Sequence, residues 1–291
     1  MYSTFFSLKE NPFGETPNTR FFFGSAPHQQ ALEELRQHVA SGRGFGVLTG
    51  EVGTGKTLLS RLLLRDAQAT TNTALILFPS LSPVELVASI ADEFRLCADL
   101  QGPQRMKVYV DRLYQFLLQS ASQGRRTLLV IDEAHRLPLE TLEVIRLLNN
   151  LETEREKLLQ IILLGQPELH DTLDREEIRQ LTQRVSLQAT LRPLTLDETD
   201  SYISHRLECA AGGSPLVRFD FNAVKWVWNE SGGIPRKINQ LCERLLVQAE
   251  GERNHLIDTR HCRELGKALH RTDARKPRSF RDYFTRSGLG L

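Results

Sequence analysis

Short apolar runs and stretches with helically spaced apolar residues follow one another along the first two thirds of the chain. The apolar runs predict strands at residues 45–49, 74–78, 127–131, 158–164 and 187–191. The helical spacing predicts helices at residues 28–41, 56–64, 83–94, about 103–120, 139–151 and 176–185. This alternation is typical of an α/β fold, and we assign it to a core spanning residues 31–193.

The pattern changes after Pro193, where only helices are predicted: residues 196–211, 221–228 and a helix that begins at Pro235. We assign residues 194–270 to a separate helical domain. Residues 1–30 are rich in aromatic and turn residues, so we expect an ordered segment on the core, either as a clamp or against a nucleotide base. Residues 271–291 hold six Arg or Lys against two Asp and predict a flexible tail, or a contact with nucleic acid or an acidic membrane.

Composition narrows the class of protein without naming an activity. The 291 residues suggest about two domains, and a net charge of +1 argues neither for nor against nucleic acid. Four scattered cysteines without a C-x-x-C pair predict a reducing compartment, with no disulfide framework and no zinc site. No apolar run approaches bilayer length and no secretory signal is evident. We therefore expect a cytoplasmic protein that reaches the inner membrane, if at all, through a partner.

The sequence between the first predicted strand and the following helix fits G-x-x-x-x-G-K-[ST] at every fixed position. Glycines let backbone N–H groups approach an anion, and the helix N-terminus favours negative charge there. Lys56 is expected to reach the β- and γ-phosphates of ATP, or the β-phosphate of ADP, and Thr57 to hold Mg²⁺. The predicted nucleotide-binding residues are Gly50, Glu51, Val52, Gly53, Thr54, Gly55, Lys56, Thr57 and Leu58.

Two carboxylates follow the buried run at residues 127–131, where a central parallel strand should end. We expect Asp132 to belong to the Mg²⁺ site and to the nucleotide site, and Glu133 to act as general base on the attacking water. The string continues through Ala134 to His135 and spells a DEAH box. A second helicase lobe does not fit the remaining length, so we interpret His135 as a supporting or surface residue rather than a catalyst.

Four further polar residues are candidates for contact with the γ-phosphate. Gln166 follows the strand predicted at residues 158–164, beside the two acids, and could bond the γ-phosphate or the water. Arg184, or secondarily Arg179, precedes the last predicted strand and could reach a neighbouring subunit's nucleotide as an arginine finger. Arg236 lies in the first turn of a helix, where a nearby anion would offset the unfavourable dipole, so we assign it as a second phosphate sensor.

These motifs, in this order, resemble AAA+ ATPases and more narrowly the ExeA (general secretion pathway protein A) and MshM (MSHA pilus biogenesis) family. The resemblance rests on the stretches at residues 1–2, 11–13, 44–57, 132–135, 145–153, 165–169 and 233–239. It implies a five-stranded parallel sheet between helices, a C-terminal helical lid, ATP hydrolysis and nucleotide-linked oligomers. It also matches Gln166 to sensor 1, Arg236 to sensor 2 and, less closely, Arg184 to the finger.

The resemblance implies a cytoplasmic ATPase that assists a type IV pilus or type II secretion machine at the inner membrane. ExeA-type proteins continue into a transmembrane helix and a peptidoglycan-binding part, which this sequence lacks, as in the MshM type; a truncated longer protein would look the same. A DNA-binding accessory ATPase of the transposition-helper kind is the alternative, with the basic tail as its contact. A nucleotide switch without hydrolysis is less consistent with both acids and Arg236.

Overall fold

The computed structural model describes residues 2–77, 80–100, 102, 104–154 and 156–273. The described chain forms two compact units. The sheet unit contains Thr16–Leu194 and Ile234–Arg236, and the helical unit contains residues 2–15, Thr195–Gly233 and 237–273. The predicted basic tail lies outside the described residues from position 274 onward, while residues 271–273 end the last helix.

Regular elements alternate through the sheet unit and become mainly helical after it. The strands are β1 (Phe45–Gly50), β2 (Thr71–Ile76), β3 (Arg126–Ile131), β4 (Gln160–Gly165), β5 (Val185–Leu191), β6 (Arg218–Phe219) and β7 (Leu256–Ile257). The helices are α1 (Tyr2–Phe5), α2 (Ala26–Ala40), α3 (Lys56–Ala67), α4 (Pro83–Glu93), α5 (Met106–Ser122), α6 (Leu139–Leu148), α7 (Glu168–Leu173), α8 (Arg179–Thr182), α9 (Leu196–Ala211), α10 (Phe221–Ser231), α11 (Pro235–Gly251) and α12 (Thr259–Asp273). Short 3₁₀ turns span Thr19–Phe21, Ala134–Arg136 and Glu176–Ile178.

The sheet unit is built on a five-stranded parallel sheet in the order β2-β3-β4-β1-β5. The expected fold class is therefore confirmed. The register aligns Thr49 of β1 with Gly165 of β4, and Ile131 of β3 with Leu163 of β4. Because parallel strands end at one edge, the residues that follow β1, β3 and β4 meet at the same side of the sheet.

Two apolar layers cover the sheet, because successive side chains of a buried strand point to opposite faces. Leu129 and Ile131 of β3 belong to one layer, which also contains residues of α4, α5 and α6. Leu128 and Val130 belong to the other layer, with residues of α2 and α3. The same alternation continues to Asp132, which follows Val130 by two positions and so faces the helix α3 that opens with the phosphate-binding motif.

Two predicted elements differ most from those observed. The second strand begins at Thr71 rather than residue 74, since Thr71 and Asn72 pair with β3 despite their polar side chains. The helix predicted over residues 176–185 is wrong: a 3₁₀ turn and the short α8 take its place, and Val185 opens β5 by pairing with Phe45. Parallel pairing with β1 overrides the local helical pattern there.

The helical unit contains α1 and α9–α12 around a buried apolar core. Its first long helix, α9, begins with a capping box in which Thr195 and Glu198 exchange side-chain and backbone hydrogen bonds. The structure adds one short two-stranded sheet to the helices that the sequence predicts for this unit. The two-residue strands β6 and β7 pair in parallel, with Arg218 opposite Leu256 and Phe219 opposite Ile257.

The N-terminal aromatic segment is divided between the units rather than lying wholly on the core. In the helical unit, Phe6 and Phe13 are almost fully buried. The ring of Phe5 stacks on His255 at a centroid distance of 4.6 Å, and the Tyr2 hydroxyl donates to Glu243 Oε2 at 2.7 Å. Desolvation by burial, reinforced by the hydrogen bond to Glu243, raises the pKa of Tyr2 above its usual range. The large apolar area that aromatic rings bury explains why this N-terminal segment packs in an ordered way.

None of the helices within the described ranges combines the length and the apolar content that crossing a bilayer requires.

Candidate functional site

The phosphate-binding motif forms the turn between β1 and α3, as its flanks predict. All six residues of β1 are buried, which fixes the point where the chain leaves the sheet. Gly53 and Gly55 then adopt positive φ values of 86° and 106°. Glycine takes this conformation without the cost that a Cβ would add, and the turn brings backbone N–H groups to the start of α3.

Lys56 lies at the first position of α3 and is only 5% exposed. Its Nζ donates to the carbonyl oxygens of Gly50 at 2.7 Å and Glu51 at 3.0 Å. Burial lowers the pKa of Lys56, and the Glu133 and Asp132 carboxylates act in the opposite direction. The ammonium group is thus held over the loop next to two acids, in a place suited to an anion that bears several negative charges.

Thr57 and Asp132 meet across the sheet edge. The Thr57 hydroxyl donates to Asp132 Oδ2 at 2.5 Å, and the other carboxylate oxygen, Oδ1, accepts the backbone N–H of Glu133 at 2.8 Å. Asp132 is 3% exposed, and its own N–H donates to Ile76 of β2. The carboxylate is therefore fixed from both sides, beside the hydroxyl.

Glu133 adopts the left-handed backbone conformation, with φ 54° and ψ 32°. A non-glycine residue there carries a conformational cost of roughly 1–2 kcal/mol, and such outliers cluster at functional sites. The conformation turns the chain sharply out of β3 into the 3₁₀ turn Ala134–Arg136. The side chain is about one third exposed, at 36%, and Oε2 lies 3.7 Å from His135 Nε2.

Gln166 follows β4 directly and contacts His135. Gln166 Nε2 of the side-chain amide lies 2.9 Å from His135 Nε2, and the Gln166 backbone N–H donates to His135 Nδ1 at 3.4 Å. The sequence analysis treats His135 as a supporting or surface residue; its side chain is 13% exposed. The structure thus brings Glu133, His135 and Gln166 together at the edge where Thr57 and Asp132 also meet.

Arg236 belongs by its contacts to the sheet unit, although most of α11 does not. Its backbone N–H donates to Gly53 O at 3.2 Å, and a Cβ at Gly53 would lie 2.6 Å from Arg236 Cβ. The guanidinium charge also acts to lower the pKa of Lys56. Arg236 is therefore a neighbour of the phosphate-binding loop.

The two arginines considered as fingers are both exposed. Arg184 lies between α8 and β5 and donates from Nη1 to Asn150 Oδ1, while Arg179 opens α8. The hydrogen bond of Arg184 thus runs to the end of the α6 region rather than to the loop at residues 50–57. Both side chains lie at the surface, where contact with a second subunit is open to them.

The sequence analysis misses His28, near the start of α2. This histidine is buried, its Nδ1 lies 2.7 Å from Ser25 Oγ, and its Nε2 lies 2.8 Å from Thr54 O in the phosphate-binding loop. Because a carbonyl only accepts, Nε2 carries the proton and Nδ1 accepts from the Ser25 hydroxyl. A Cβ at Gly55 would lie 3.3 Å from the same Nε2. No sequence motif signals this contact, since its partner is a backbone atom 26 positions away.

The oxygen atoms of the site suit a hard cation that a nucleotide helps to bind. Within the described ranges, no group of three or more His, Cys, Asp or Glu residues is arranged to hold a metal ion. Mg²⁺ in nucleotide sites needs only one or two carboxylates, with phosphates and water completing its shell. Thr57 Oγ1 and Asp132 Oδ2 supply one hydroxyl and one carboxylate oxygen, so the residues present fit the ion.

Comparison with known proteins agrees with this geometry. Residues 29–173 match the AAA domain family, and this range includes the phosphate-binding loop, the two acids and Gln166. The chain is also 42% identical over 257 residues, 88% of its length, to General secretion pathway protein A of Aeromonas hydrophila. The chain belongs to the ExeA-like AAA+ proteins. It spans 46% of that relative, less than half of its length.

Solved structures support the same fold at low identity. ORC2 of Aeropyrum pernix superposes on this AAA+ protein with a TM-score of 0.60 at 15% identity, covering 86% of this chain and 71% of that one. The RuvB Holliday junction branch migration motor of Thermotoga maritima gives a TM-score of 0.56 at 20% identity, covering 85% and 70%. At these identities the likeness concerns the fold.

Proposed function

We propose that this protein binds ATP at the loop of residues 50–57 and hydrolyses it with Mg²⁺. The observation that carries the proposal is the meeting of a buried lysine, a hydroxyl–carboxylate pair and a second carboxylate at one edge of the sheet. A site that only binds an anion would need no more than the Lys56 ammonium group and the backbone amides of the loop. The two acids and the polar Gln166 beside them add the groups that water attack on a γ-phosphate requires.

Each residue has a distinct role in the proposal. The backbone amides of residues 50–58 and Lys56 bind the phosphates, and Thr57 and Asp132 hold Mg²⁺. When bound, the ion neutralises charge on the phosphate oxygens. Glu133 accepts a proton from the attacking water through its carboxylate. In addition, Gln166 and Arg236 donate hydrogen bonds to the γ-phosphate. The contact of Gln166 with His135 and that of Arg236 with Gly53 support this role.

The experiment measures MgATP binding and phosphate release on the same preparations. We expect Lys56→Ala to lose nucleotide affinity, and Glu133→Gln to bind MgATP as the wild type does without turnover. Glu140→Gln, at an exposed glutamate in the first turn of α6, is the matched control and should leave the rate unchanged. Equal turnover by Glu133→Gln and wild type would overturn the base assignment, and absence of MgATP binding at millimolar concentration would overturn the proposal.

We further propose that the active form is a homo-oligomer in which Arg184, or secondarily Arg179, reaches the nucleotide of the next subunit. The exposure of both side chains supports this. Mixing inactive Arg184→Ala subunits with inactive Lys56→Ala subunits should restore part of the activity, because some interfaces then combine an intact arginine with an intact loop. Arg175→Ala, at an exposed arginine just before the 3₁₀ turn Glu176–Ile178, is the control. Full activity of Arg184→Ala and Arg179→Ala alone would contradict the proposal.

For the cellular role, we propose a cytoplasmic ATPase that assists a secretion or type IV pilus machine through an inner-membrane component. The support is the 42% identity to a protein named for the general secretion pathway. Deletion of the gene, complemented by wild type or by Glu133→Gln, should abolish exoprotein release or surface pili, with rescue by wild type alone. Unchanged secretion and piliation in the deletion strain would refute this role.

The basic composition of residues 271–291 supports one rival proposal, a DNA-binding accessory ATPase. A mobility-shift assay with MgATP compares the full chain with a chain cut after His270. Binding that depends on the tail and weakens steeply with salt would favour the rival. Equal and weak binding by both chains would favour the secretion role.

A further inference from the structure

The 3₁₀ turn that follows the two acids places His135 between two groups of the proposed hydrolysis site. Its Nε2 lies 2.9 Å from the side-chain nitrogen, Nε2, of Gln166 and 3.7 Å from Glu133 Oε2. Its Nδ1 accepts the backbone N–H of Gln166 at 3.4 Å. The imidazole is 13% exposed, so protein atoms rather than water surround most of the ring. One ring thus contacts both a carboxylate and an amide.

Hydrogen-bond chemistry then decides which nitrogen of His135 carries the proton. A backbone N–H can only donate, so Nδ1, which faces the N–H of Gln166, must be the unprotonated nitrogen of a neutral ring. Nε2 is therefore N–H and donates. The structure places the amide nitrogen of Gln166 towards the ring. Amide O and N are assigned from the hydrogen-bond network, and exchanging them puts the oxygen in the position that accepts this bond. In that orientation the Gln166 NH₂ group is left as a donor for another partner.

We propose that His135 is a positioning residue that orients the Gln166 amide for ATP hydrolysis. The inference rests on the proposed function. By accepting the ring N–H, the Gln166 oxygen leaves its NH₂ group to donate to the γ-phosphate, while the nearby carboxylate of Glu133 remains an acceptor for the proton of water. A rotated amide would present its oxygen to the phosphate and repel it. In this arrangement His135 acts through Gln166 rather than on the water or the phosphate.

The test is a double-substitution cycle on the full chain. The variants are His135→Ala, Gln166→Ala and the combination, each measured for MgATP affinity and for kcat. We expect each single variant to bind MgATP within about twofold of wild type and to lose about 10- to 100-fold in kcat, as misplaced groups do. The double variant should lose no more than Gln166→Ala alone, because His135 acts through Gln166.

A conservative variant separates orientation from structural support. In His135→Gln, the side-chain amide provides a hydrogen-bonding group near the position of Nε2, so we expect part of the lost kcat to return. Arg136→Ala, at the exposed neighbour in the same turn, is the control for disturbance of the turn and should keep the wild-type rate. If His135→Ala does not fold, the cycle is run with His135→Leu and His135→Gln.

The outcomes distinguish this inference from the proposed function. Additive losses in the double variant, or an unchanged kcat in His135→Ala and His135→Leu, would overturn the positioning role while ATP hydrolysis stands. A loss of MgATP affinity in place of kcat would also overturn it, since that would indicate a merely structural role. If wild type itself released no phosphate, the proposed function would fail first.

Discussion

His28 offers a sharp test of how the phosphate-binding loop is held. Replacing it by alanine removes the donor to Thr54 O, at 2.8 Å, and the acceptor for the Ser25 hydroxyl, at 2.7 Å, in a buried place. A buried polar group left without a partner costs about 1–3 kcal/mol. This variant leaves two such groups, the Thr54 carbonyl and the Ser25 hydroxyl, without their bonds to His28. Partial entry of water reduces the sum. We therefore expect a loss of about 2–4 kcal/mol from the sheet unit.

The assay is thermal unfolding with and without MgATP, together with nucleotide affinity. For a unit of this size each kcal/mol lowers Tm by about 2–4 °C, so His28→Ala should melt roughly 4–16 °C lower. Its affinity for nucleotide should also fall, because the freed loop must be ordered on binding. Gln30→Ala, at an exposed glutamine of the same helix whose bond is to Glu34, should change Tm little. A His28→Ala protein with wild-type Tm and affinity would refute the reasoning.

Three further predictions use other parts of the chain. Gly53→Ala should lower nucleotide affinity by tenfold or more, because the added Cβ would lie 2.6 Å from Arg236 Cβ. The control is Gly42→Ala, at a glycine that also has a positive φ but whose added Cβ would meet nothing within 4 Å. Equal effects of the two substitutions in binding assays would contradict the argument. Desolvation by burial, and to a lesser extent the charge of Arg43, lower the pKa of His38 from 6.5 to about 4. As the pH falls from about 6.5 towards 4, His38 binds a proton in the unfolded chain but not yet in the folded one, so the free energy of unfolding decreases. His38→Gln should therefore flatten the dependence of Tm on pH between 7 and 5, and an unchanged slope would exclude His38 as its source. Phe13→Ala should destabilise the helical unit by about 3–5 kcal/mol, measured by amide hydrogen exchange, and unchanged protection would show that the ring carries little of its stability.

The sequence predicts the parts of the site whose residue types define the chemistry. The loop at residues 50–57 and the acids Asp132 and Glu133 are recognisable because glycines, a lysine and paired carboxylates occur at fixed spacing between apolar segments. The structure then explains their meeting by the shared edge of parallel strands. The catalytic roles assigned to Glu133, Gln166, Arg184, Arg179 and Arg236 remain predictions.

Contacts to backbone atoms and between distant segments are where sequence reasoning fails. His28 bonds a carbonyl, which every residue has, so nothing in the sequence marks its partner. Ile178 and Leu181 are both buried at helical spacing, yet the chain there is a 3₁₀ turn and a short helix, because Val185 must reach β1. The pair β6–β7 is too short to leave a periodic signal.

The helical unit draws its residues from both ends of the described chain, and this affects the order of events during translation. Phe6 and Phe13 leave the ribosome before His255 and Phe219, the rings that they contact, which follow only after the whole of Thr16–Leu194. At bacterial and eukaryotic rates of synthesis that interval lasts roughly ten to forty seconds. Similarly, the buried guanidinium of Arg206 donates to the carbonyl of Pro12, so a fragment begun at Thr195 would lack the acceptor. During synthesis, Phe6 and Phe13 therefore lack these ring contacts until the part of the helical unit that follows Leu194 has emerged.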